Sequence, residues 1–123
     1  PPYKPVHPKH PCTLWGGMNR RNFSWLWWFG IALCCEYTHR YGKKHACEEV
    51  LHDIACQCWN DLPPGEYTDP PQAMPDEYKN QDVIEAYRRY YYFEKSRFAR
   101  WTNRPKPFFM EEGFYDNKLQ LVQ

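Results

Sequence analysis

The run FSWLWWFGIALCCEY at residues 23–37 constrains the fold more than any other feature, because it is apolar on nearly every face of a helix. A helix that is apolar all round must be surrounded by protein or by lipid. Ser24 interrupts the run and Glu36 ends it, so it falls short of the ~18 apolar residues a membrane span requires. The run is therefore predicted to be the central helix of a soluble fold, extending to about Tyr41. Asn19 or Asn22 can cap its start, and Gly42 stands where a left-handed C-terminal cap is expected. His39, Arg40, Lys43 and Lys44 suit the negative end of the helix dipole.

The remaining elements follow from punctuation and periodicity. Five prolines between Pro1 and Pro11 forbid helix or central strand, which makes residues 1–11 an extended arm. Pro11 can open a short helix through Trp15, which Gly16-Gly17 ends. A second long helix is predicted from about Lys44 to Trp59, with Cys47, Val50, Leu51, Ile54, Ala55 and Cys58 on one face and Glu48, Glu49 and Asp53 on the other. Pro63-Pro64-Gly65 stops it, and an irregular connection runs to Gln81, longer than packing needs. Asp82 with Glu85 reads as a capping box for a third long helix through about Trp101. On it, Ile84, Tyr87, Tyr91 and Phe98 align as a packing stripe, and Arg89, Arg97 and Arg100 fall on another face as a basic ridge. The expected class is mainly α: a compact bundle of three main helices forming one domain over residues 1–123, with the arm at 1–11, a helical core at 12–109 and a tail at 110–123. The absent initiator Met and the Pro1-Pro2 start read as a processed product or fragment, so the domain is expected to be the C-terminal portion of a larger unit.

Six cysteines invite a disulfide or zinc reading. Cys34 and Cys35 are adjacent inside the apolar run and no CxxC pair occurs, which favours reduced thiols in a cytoplasmic protein. His45, Cys47, His52 and Cys56 are zinc-competent, yet Cys47 belongs to the packing face and His52 lies off its centre; no metal or cofactor is expected.

Near-neutral net charge conceals segregation. Residues 1–45 carry seven Lys or Arg against Glu36 alone, residues 46–82 carry nine acids against Lys79, and residues 83–106 carry seven bases against Glu85 and Glu94. Either the two basic blocks share one side and attract a polyanion, or they pair with the acidic block between them. In the second basic block the cations alternate with flat rings, from Tyr87-Arg88-Arg89-Tyr90 to Trp101 and Arg104. Cations neutralise phosphates and rings stack on exposed bases, the combination that distorted or single-stranded nucleic acid requires. The plainer alternative is an amphipathic helix with core tyrosines and solvated arginines. The candidate nucleic-acid-binding residues are Arg20, Arg21, Arg40, Lys43, Lys44, Arg88, Arg89, Arg97, Arg100, Arg104 and Lys106, with Trp101 or Phe108 near the base. Glu94, at the margin of the packing stripe, is a candidate general acid or base, and His10 a second catalytic candidate.

The ordered series His10-Pro11…Trp15, NFSWLWW…ALCCEYTHRYG, PPQAMPDEY and EAYRRYY..EKSRFARWTNRPKPFF, covering roughly residues 3–109, resembles small phage and bacterial proteins classed with pyrimidine-dimer DNA glycosylases of the endonuclease V type. The resemblance implies an all-α protein that binds damaged duplex DNA, flips nucleotides from the stack and cleaves the glycosidic bond through an imine without metal. It carries over to the His10-Pro11 turn, the helix from Phe23 to Tyr41 and the basic-aromatic end from Arg88 to Phe109. The family's nucleophilic terminal amine and its catalytic carboxylate on an early helix have no matching positions here. The expected function is that of a DNA-binding, repair-type N-glycosylase/AP lyase acting on damaged or modified pyrimidines in the host cytoplasm. The alternatives are a non-catalytic nucleic-acid-binding or virion-associated module and a base-modifying enzyme.

Overall fold

Asn19 decides where the long helix begins. Its backbone is extended (φ −160°, ψ 172°) and its Oδ1 accepts the N–H of Asn22 at 2.9 Å, the donor that an N-cap exists to satisfy. The computed structural model describes residues 3–116, so the ends of the arm and of the tail (1–2 and 117–123) lie outside the described residues. These are mainly helical, with four α-helices and no strand among them: α1 (Pro11–Gly16), α2 (Arg20–Tyr41), α3 (Ala46–Asp61) and α4 (Val83–Lys95). No helix among the described residues is long and apolar enough to cross a membrane. The chain divides into two units, one ending at Asp69 and one starting at Pro70.

In the first unit α1 and α3 pack on α2. His10 caps α1 and His45 caps α3 in the same way, each Nδ1 accepting the N–H of the cysteine two residues on at 3.0 Å. Gly42 ends α2 at φ 69°, as its position predicts. The helices meet closely at Gly30, where a Cβ would come within 3.1 Å of Leu51, and Trp27 Nε1 donates to the Leu51 carbonyl at 2.7 Å. The predicted apolar face of α3, from Cys47 to Cys58, is half-buried, while Glu49 and Asp53 are exposed.

A polar knot ties the segment after α3 to the start of α2. Asn22 is fully buried; its amide donates to the Trp15 carbonyl at 3.2 Å and to Thr68 Oγ1 at 3.1 Å, and its Oδ1 accepts the Thr68 N–H at 3.0 Å. Trp15 Nε1 donates to Thr68 Oγ1 at 2.9 Å. Asn19 donates to the Glu66 carbonyl at 3.0 Å, and Arg20 Nε to the Leu62 carbonyl at 2.8 Å. Gly65 passes so close to Asn19 that a Cβ would stand 2.8 Å from its side chain.

One expectation about α2 is corrected. It is not enclosed: Trp28 is 65% exposed, Leu33 55% and Phe29 48%, and only Asn22 and Cys34 are buried along its length. Two partner helices in its unit cover part of its circumference; Trp25 and Phe29 stack on each other (5.4 Å, 6°), with Trp15 of α1 edge-on against Trp25. Burial pushes the Cys34 thiol above its ordinary value, which suits a small core side chain rather than a reactive group. All six cysteines are free thiols.

In the second unit, Asp82 Oδ1 accepts from the N–H groups of Ile84 and Glu85 and starts α4, which packs against the 3-10 turns Asp76–Tyr78 and Phe108–Met110. Tyr87 fastens the preceding loop, its hydroxyl donating to the Pro71 carbonyl at 2.6 Å. Tyr78 and Ala86 are fully buried and Met110 nearly so. Here three expectations fail. α4 ends at Lys95 rather than Trp101, and the chain goes on through turns; the Ser96 hydroxyl donates to the Tyr92 carbonyl of the last turn. The packing stripe is rotated: Ile84, Tyr91 and Phe98 are exposed, and the inward face is built on Ala86 and Arg89. The basic ridge therefore does not exist, since Arg97 and Arg100 lie beyond the helix and Arg89 is inside.

Candidate nucleic-acid interface

The second unit displays its cations on rings. Lys95 Nζ lies 5.7 Å and the Arg97 guanidinium 5.4 Å from the centroid of Phe98, which is 57% exposed. Arg88 lies 5.3 Å from the Phe108 ring and 5.0 Å from Phe109, with Phe108 60% exposed. A cation over an aromatic face gains attraction and loses side-chain freedom, so each ring holds a positive group beside a flat surface open to solvent. Arg97, Arg100, Arg104 and Lys106 are exposed, and Trp101 is half-buried between them in sequence.

The frame behind these groups is rigid. Phe108 and Phe114 pack edge to face at 5.5 Å, and Phe114 meets Tyr115 at 4.8 Å. Tyr92 Oη accepts the N–H of Gly113 at 2.8 Å, where the chain turns at φ 84°. Tyr115 donates to Glu85 Oε2 at 3.0 Å; burial and this carboxylate push its hydroxyl up to about 12. Glu85 also stands 3.8 Å from Arg88.

The other candidates are placed as follows. Arg89 is buried with its guanidinium over Phe93 (5.7 Å) and Tyr115 (5.3 Å), so it serves packing and is withdrawn from the interface. Glu94 is half-buried and accepts the hydroxyl of Tyr78. His10 is the α1 cap. Arg20 lies 4.4 Å over the Trp59 ring as part of the polar knot, Arg40 pairs with Glu36 at 2.8 Å, and Lys44 lies 3.6 Å from Glu48; Arg21 and Lys43 are exposed. Among the described residues no three His, Cys, Asp or Glu side chains converge as a metal would require. His45 is a cap and His52 packs edge-on against Trp27.

Lys95 and Phe98 belong to the series of alternating cations and rings in the sequence, but the predicted packing stripe assigns Phe98 to the core. Extending the helix past Ser96 placed Phe98 in the core, and the signal against this was the Ser96 hydroxyl followed by RFARWTNRP, a stretch dense in loop formers at its end. No protein-family model, curated protein or solved structure matches this chain.

Proposed function

We propose that this chain binds DNA through the cation-on-ring surface of residues 88–109 and acts on damaged or modified pyrimidines, as a repair-type N-glycosylase/AP lyase in the host cytoplasm. The observation that carries the reading is the pairing of Lys95 and Arg97 with exposed Phe98, and of Arg88 with exposed Phe108. Phosphates are met by the cations, and an unstacked base is met by the ring beside them. Damaged sites suit such a surface because a lesion lowers the cost of exposing a base.

A second reading, a binding module without chemistry, is favoured by the engagement of both catalytic candidates: Glu94 accepts from Tyr78 and His10 caps a helix. One assay separates the two. Incubation with dimer-containing DNA and borohydride traps an imine-forming enzyme covalently, whereas a binder gives no adduct. Binding itself is tested by Arg97→Ala/Arg100→Ala, expected to weaken affinity for single-stranded or lesion-bearing DNA by about tenfold or more at low salt. Phe98→Ala is expected to cost about fivefold or more on single strands. Unchanged affinity in both variants would remove the assignment of this surface.

A further inference from the structure

Between α2 and α3 lies a cleft of about 390 Å³, within the range of small-molecule sites, whose walls include Trp27, Trp28 and Trp59 and whose polar groups include Ser24 and Asn60. The walls are set before any ligand arrives. Trp27 is pinned by its bond to the Leu51 carbonyl and meets Trp28 edge to face at 5.1 Å and 80°. Trp28 is 65% exposed and Trp59 41%, one face of the Trp59 ring being covered by the Arg20 guanidinium. Indole faces select a flat ring, and a hydroxyl with an amide can read the ring's edge. A cation stands at the rim: Arg20 lies 4.4 Å over the ring of the lining residue Trp59, held there by its bond to the Leu62 carbonyl, and the next residue on α2, Arg21, is exposed. A plain hydrocarbon ligand would leave the polar groups and the fixed charge unanswered.

We propose that this cleft binds a nucleotide, with the base against the exposed indoles of Trp28 and Trp59 and the phosphate at Arg20 and Arg21. The proposal is independent of the DNA surface in the other unit, since none of its residues belongs to that surface. The ligand chemistry has two sources, a free mononucleotide or a nucleotide within a strand.

Cys56, an exposed free thiol, also lines the cleft and reports on occupancy; Cys35, likewise exposed but not among the lining residues, is the internal control. The full chain is alkylated with and without AMP, adenosine, ribose 5-phosphate or a short oligodeoxyadenylate, and each cysteine is followed by peptide mass. Saturating AMP is expected to slow alkylation of Cys56 by about tenfold and leave Cys35 unchanged. Trp28→Ala, at a position 65% exposed, weakens AMP by about fivefold or more, with the melting temperature of the variant as the check on its fold. Arg21→Ala weakens AMP but not adenosine. Protection by AMP assigns the site to free nucleotides, and protection by the oligonucleotide alone assigns it to a strand. Failure of both to protect Cys56, or equal protection by adenosine and AMP, overturns the proposal.

Discussion

Replacing Asn22 by Leu is expected to destabilise the unit ending at Asp69 by about 3 kcal/mol, a drop in Tm of roughly 10–20 °C for a unit of this size. Asn22 is fully buried and joins two separate segments, donating to the Trp15 carbonyl and to Thr68 Oγ1 and accepting the Thr68 N–H. Leucine has a similar volume but leaves the Thr68 N–H without its acceptor and takes a donor from the Trp15 carbonyl, which keeps the Met18 N–H. Asn22→Asp keeps the acceptor but buries a carboxylate whose second oxygen faces the Trp15 carbonyl, so it should cost at least as much as leucine. A melting temperature within about 3 °C of wild type for Asn22→Leu would show that the knot does not hold the segment from residue 62 to residue 68 in place.

Tyr78→Phe should cost about 2 kcal/mol in the unit that starts at Pro70, because it strips a half-buried carboxylate of its hydroxyl donor. If the loss comes from taking the hydroxyl donor from the Glu94 charge, adding Glu94→Gln to Tyr78→Phe recovers part of it; no recovery would contradict that origin. The alkaline limb gives an independent reading. Burial first, then the Glu94 carboxylate, raises the Tyr78 hydroxyl above its ordinary value of 10, and Tyr115 is pushed up to about 12. Folded protein keeps these protons where the unfolded chain has released them. Stability is thus complete below pH 10 and declines as pH rises from 10 towards 12 and beyond. Urea midpoints for wild type and Tyr78→Phe should converge as pH climbs through that window; parallel curves would deny the linkage.

Local structure was legible where one residue's chemistry decides it. Asn19 as cap, Gly42 as left-handed terminus, Asp82 as start and the apolar face from Cys47 to Cys58 are all found as their residue types predict. What was not legible is which face an element turns inward. The stripe through Ile84, Tyr91 and Phe98 has the right spacing, but Ala86 and Arg89 occupy the interior: Ala86 permits close approach, and the Arg89 guanidinium settles on two rings. Hydrophobic pattern ranks the first set above the second, whereas packing depends on shape. The apolar run of α2 misled for a related reason, since aromatic surface can stay exposed when it is bound for a ligand or a partner. Likewise the cleft joins α2 to residues some thirty positions later, and the knot joins Asn22 to Thr68, contacts that no local pattern encodes.

The most direct test of DNA binding by the surface at residues 88–109 is the salt dependence of affinity for a single-stranded oligonucleotide. If four of its cations engage phosphates, log K should fall against log salt with a slope of about −3, and Arg97→Ala/Arg100→Ala should bring it to about −1.5. A slope near zero for the wild-type chain, or one that the double variant leaves unchanged, would contradict it.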